Sequence, residues 1–170
     1  MQLLSYAGFI FLVRWSHFLA GVAWIGLLYY FNFVQGPFLA QVTEAATRKD
    51  VTTKLLPRAL WWFRWGAMFT VGVGLILYAD IMHKVGPGFL QSGQGISITI
   101  GGVLGIIMWF NVWFIIWPNQ KLIIAAAEQG KGPTELGGKP RVAFLASRTN
   151  TMLSIPMLFF MAASSHMTWG

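Results

Sequence analysis

RWSHFLAGVAWIGLLYYF, residues 14–31, decides the fold: an arginine and a histidine stand ahead of a run, Phe18 to Phe31, with no charged side chain. The run lies inside an apolar segment from about Leu3 to Phe38. A helix crosses a bilayer with about 20 such residues. The segment has no basic start and no small-residue cleavage site, and it is too long for a signal peptide, so it reads as a retained membrane helix. Working outward, three more segments reach spanning length, roughly Leu60 to His83, Ile96 to Trp117 and Asn150 to Met167. The chain is 56% hydrophobic and 10% charged, with a mean hydropathy of +0.61. A soluble domain carries about 25% charged residues. The expectation is an all-α, integral membrane four-helix bundle, with one transmembrane domain covering residues 1–170.

The net charge is +7, and nine of the twelve basic residues lie in two places. Arg48, Lys49, Lys54 and Arg58 fall between the first two segments, and Lys121, Lys131, Lys139, Arg141 and Arg148 between the last two. By the positive-inside rule these loops are cytoplasmic, which puts both termini and the Asp80–Gly95 loop outside, in the periplasm if the membrane is a bacterial cytoplasmic one. The charge therefore sets topology and meets lipid headgroups, and a nucleic-acid partner is excluded. There is no cysteine, so disulfides, thiolate ligands and c-type haem attachment to this chain are excluded too.

Punctuation along the chain supports these boundaries. Gly36-Pro37 is expected to end the first helix and Trp117-Pro118 the third. Trp61, Trp62 and Trp65 around Arg64 form an aromatic belt at the cytoplasmic interface. Pro156 is expected to bend the fourth helix. Asn32, Asn111 and Asn150 are expected to bond across helices, and the Gly130–Pro140 stretch to be a flexible, solvated loop.

Two histidines carry the functional reading. From His17 to Gln35, and back from His166 to Arg148, the count is 18 residues each, about 27 Å of helix. If Gln35 and Arg148 mark one membrane face, the imidazoles share a depth. Ionisable groups at such depth are costly unless they face a protein interior, so they point to function, and two imidazoles at one level suit the iron of a b-type haem. Gly21 and Ala162 lie four residues further in on the same helix faces, leaving bare patches for a flat ligand. Gly101 lies at the same depth, counted to Asn119, and reads either as part of that wall or as small-residue helix packing with Gly102 and Gly105. Arg14, at i−3 from His17, is expected to pair with a haem propionate or to snorkel outward. His83 reads as an exposed residue or an alternative ligand. Neither a phosphate loop nor paired carboxylates nor a hydrolase motif is present.

Arg14-Trp15-Ser16-His17 through Ala20-Gly21 and Trp24-Ile25-Gly26 to Tyr30-Phe31, then Trp62-Phe63-Arg64-Trp65, Pro118-Asn119-Gln120, and Arg148, Asn150, Pro156, Leu158-Phe159, Met161 and His166 resemble, in order, the membrane-anchored bacterial urate hydroxylases. Their transmembrane part is known as the urate oxidase N-terminal domain. The blocks span most of the chain. The resemblance implies an integral membrane redox protein, whose full-length relatives oxidise urate and pass electrons to a fused cytochrome c domain. This sequence has no CxxCH and looks like a short form without that domain. Three functions follow as expectations. The first is one-electron transfer through haem b, with His17 and His166 as ligands, to a periplasmic cytochrome c or within a larger respiratory complex. The second is urate-hydroxylase-like oxidation with a cytochrome partner, and the third is an accessory structural subunit of a membrane complex. The glycine content also permits a homo-oligomer.

Overall fold

The structure is a computed structural model and describes residues 4–166. Four long helical rods follow one another: α1 (Tyr6–Gln41), α2 (Ala45–Gln91), α3 (Gly93–Glu128) and α4 (Lys139–His166). No strand occurs among the described residues. Serines cap two of the rods. Ser5 accepts from the Gly8 N–H at 3.2 Å and Ser92 from the Gly95 N–H at 3.0 Å, each satisfying a donor that the first helical turn leaves free. The α-helical part of α2 closes at Gly86, whose φ of +77° suits glycine.

Only α1, α2 and α3 are long and apolar enough to cross a membrane, which corrects the expected four spans to three. α4 has the length, but serine, threonine and asparagine break its apolar run. Three of these groups, Ser147, Asn150 and Ser154, turn toward the other helices. The Asn150 amide donates to the Met108 carbonyl at 2.9 Å and accepts from Asn111 at 2.8 Å. Ser147 meets the Asn32 amide at 2.8 Å, and Ser154 meets the Tyr29 hydroxyl at 2.9 Å. A hydropathy scale charges α4 for polar groups whose partners lie on α1 and α3.

The helix ends also differ from those expected. Pro37 and Pro118 do not stop their helices, which continue to Gln41 and Glu128. Ahead of Pro37, Pro57 and Pro118 the backbone widens into π-helix, over Tyr30–Gln35, Val51–Leu55 and Asn111–Ile116. In each case the residue just before the proline donates to the carbonyl five back: Gly36 to Phe31, Leu56 to Val51, Trp117 to Val112. A proline ring collides with the carbonyl four residues earlier and has no N–H to give it. One extra residue in the turn moves that carbonyl aside, so the rod passes the proline. α2 likewise begins at Ala45 rather than near Leu60, and α4 begins at Lys139 rather than Asn150. The expected beginning at Leu3 and end at Met167 lie outside the described residues.

The rods alternate in direction. The α1/α2 seam is built from small residues at four-residue spacing. A methyl group on Gly66 would stand 3.3 Å from the Trp24 backbone nitrogen, one on Gly21 would touch Thr70 at 3.9 Å, and one on Gly74 would stand 3.0 Å from His17 Cε1. Between the pairs lies a core of Trp24, Leu28, Phe63, Met108, Val112 and Met157. Outside, large apolar side chains face away from the protein, among them Phe18 (65% exposed), Val22 (72%) and Ile155 (66%). That jacket would be costly in water.

Candidate functional site

Helix register fixes the level of the two histidines. Tyr29 of α1 meets Ser154 of antiparallel α4. His17 and His166 each lie twelve residues beyond that contact, toward the end of the bundle that holds Tyr6. Twelve residues of helix rise about 18 Å, and the α4 stretch includes Pro156.

Their surroundings differ. His17 is half-buried, with its ring against Gly74 and the Thr70 backbone of α2. Its Nδ1 is buried without a hydrogen-bond partner, while Nε2 is not buried. His166 is exposed at the last described turn of α4, as is Ala162 one turn below it. Gly21 faces Thr70 of α2. Gly101 faces α4, where a methyl group would stand 3.2 Å from Met161 Cγ and Cε and 3.4 Å from the Met157 carbonyl. The geometry at Gly101 is thus that of close helix packing. Among the described residues no group of three or more His, Cys, Asp or Glu side chains could hold a metal ion.

Arg14 is exposed and, among the described residues, has no ion pair or hydrogen bond; the carboxylate at this end is Asp80 of α2. Asp80, itself buried, accepts a hydrogen bond from the Tyr6 hydroxyl and pairs with Lys84 at 2.8 Å. A polar cluster therefore sits above His17 and ties the start of α1 to the end of α2. His83 is exposed on α2.

Sequence reasoning missed Gly74, which makes room for the imidazole, and the tie between Tyr6 and Asp80. The first had a signal in the spacing Gly66, Thr70, Gly74, a small-residue stripe on one helix face. It placed Arg64 in the Trp61–Trp65 belt but missed its stacking on α3. That guanidinium stacks 3.6 Å from the centre of the Trp117 ring and 5.4 Å from Trp113, with its Nε buried and unpartnered.

The fold and this site define an all-helical protein whose apolar rods fit a membrane and whose Tyr6, Asp80 and Lys84 cluster lies at the His17 end. Residues 81–170 match the family described as urate oxidase N-terminal, which is more than half of the chain, and the chain belongs to that family. The matched region holds Gly101, Ala162 and His166; Arg14, His17 and Gly21 precede it. No curated protein and no solved structure matches.

Proposed function

We propose that this chain is an integral redox protein of a bacterial cytoplasmic membrane, a single transmembrane domain of the urate-hydroxylase kind that acts with a cytochrome partner. Family membership and the apolar jacket support the membrane part. The equal register of His17 and His166 carries the redox part.

Two imidazoles are the donor set that a b-type haem would use. His17 would offer a half-buried imidazole and His166 an exposed one, each twelve residues from the Tyr29–Ser154 contact. Gly101 adds no wall to such a site, because Met161 already covers it. Bound between those rings, a haem would supply a one-electron couple. The chain's own residues do the rest. Gly74 lets α2 approach and leaves room for the His17 ring, and Arg14, one turn outward of His17, would be the propionate partner.

An oxidised-minus-reduced difference spectrum of the purified protein tests this. Soret and alpha bands are expected, and His17→Leu or His166→Leu should abolish them. A flat trace overturns haem binding and leaves the membrane assignment standing.

The family match favours a second reading, in which the chain oxidises a purine or similar small molecule and passes electrons to a separate cytochrome. Urate-dependent reduction of added cytochrome c by the membrane extract would support it. A rate no higher than that of an extract lacking the chain would remove it.

A further inference from the structure

Two adjoining depressions lie on the outside of the α1/α2 pair, toward the basic end of the bundle. One, of about 370 Å³, is lined by Pro57, Arg58, Trp61 and Trp62. The other, of about 530 Å³, runs on from the same Trp61 and Trp62 along Ala20, Ala23 and Gly66. The two share Trp61 and Trp62, with a cation beside one and a largely apolar lining in the other. The floor exists because of the seam. Gly66 brings the backbones of α1 and α2 together, and Ala20 and Ala23 add little above them.

Arg58 is exposed and, among the described residues, has no ion pair or hydrogen bond. The nearby acid in sequence, Asp50, is held by Lys54 at 2.8 Å. Trp61 and Trp62 are 48% and 61% exposed beside it. Indoles of this kind settle at the headgroup level of a bilayer.

We propose that this pair of depressions is a binding site for one anionic phospholipid, with its phosphate on Arg58 and an acyl chain along Ala20, Ala23 and Gly66. A free inorganic anion would use the Arg58 end alone and leave the apolar part empty. A partner helix would use the apolar part and leave Arg58 without an anion. A phospholipid uses both, which is why the geometry favours it. The site rests on the membrane reading but not on haem.

Native mass spectrometry tests the proposal, with the chain released from micelles that contain phosphatidylglycerol and phosphatidylcholine of identical acyl chains. One retained phosphatidylglycerol per chain is expected, at about a fivefold preference, as one basic group near the surface provides. Arg58→Gln should bring the two lipids to parity, and Ala23→Phe should lower retention of both by filling the floor. Arg58 is exposed, so its replacement leaves the folded helix intact and keeps the test decisive should Ala23→Phe prove unstable. Equal retention of both lipids by the unaltered chain would overturn the site, as would inorganic phosphate displacing the lipid completely. So would a dimer lost with Ala23→Phe while no lipid is retained. Failure of the membrane reading looks different: the chain would then remain dispersed without detergent.

Discussion

The α1/α2 pair and the α3/α4 pair solve the same packing problem by opposite means. α1 and α2 meet through small residues, with Gly66 and Gly74 letting two backbones close on each other beside Gly21 and Thr70. α3 and α4 meet at Gly101 as well, but their contact also relies on amides, with Asn150 bridging Met108 and Asn111. Dispersion contacts reward close approach and tolerate nothing in the gap. Hydrogen bonds between helices tolerate more distance but demand that every buried partner be present. The first pair should therefore fail on adding atoms and the second on removing polar ones.

Adding atoms gives the largest expected effect. Gly66→Leu would place a β-carbon 3.3 Å from the Trp24 nitrogen and 3.4 Å from the Ala20 carbonyl, both backbone atoms that cannot rotate away. We expect a loss of about 3 kcal/mol, the upper end for overpacking, read from unfolding in mixed micelles. Gly102→Leu on α3, where nothing lies within 4 Å, should change stability by less than about 0.5 kcal/mol. Equal losses at the two glycines would erase the contrast. Removing polar atoms comes next. Asn150→Leu deletes two hydrogen bonds and strands the Asn111 amide, at a cost of about 2 kcal/mol. Asn111→Leu added to it should recover part of that loss, since no amide is then left unpaired. An additive double variant would show that Asn111 finds another partner.

How legible these pairs were follows from the same contrast. The all-helical fold and the cross-helix role of Asn32, Asn111 and Asn150 could be read because apolar runs and isolated amides are local signals. The helix ends could not. Pro37 and Pro118 read as stops, and whether a helix halts or widens at a proline depends on the turn ahead of it, which here takes an extra residue. The shortfall of α4 as a membrane span was hidden too, because serine and asparagine look the same in sequence whether they face lipid or a partner. At the candidate site, counting residues gave His17 and His166 equal offsets from the Tyr29–Ser154 contact. It said nothing about rotation, which sets His17 against Gly74 and turns Gly101 toward Met161.

Smaller effects sharpen the comparison at the end that carries the histidines. Gly74→Ala would bring a methyl group within 3.0 Å of His17 Cε1. Here the neighbour is a side chain that can swing, so we expect a loss of only about 1 kcal/mol, the low end for overpacking. In a His17→Ala background the same change should cost nothing, giving a coupling of at least about 0.5 kcal/mol in a double-mutant cycle. Additivity would mean that the ring does not occupy the seam. If His17 also ligates a haem, Gly74→Ala should shift the band positions without abolishing them.

The smallest effect is expected at Asp80. Asp80→Asn keeps a carbonyl oxygen for the Tyr6 hydroxyl and removes only the charge that faces Lys84 and Arg14. Lys84 is 52% exposed, so solvent and salt screen the pair. The unaltered chain should be slightly more stable than the variant at low ionic strength, and the two should converge as salt is added. Tyr6→Phe removes the hydrogen bond instead, and its effect should not change with salt. A difference at Asp80 that persists in high salt would mean that the carboxylate is shielded from solvent, and the cluster above His17 would then belong with the dry seam beneath it.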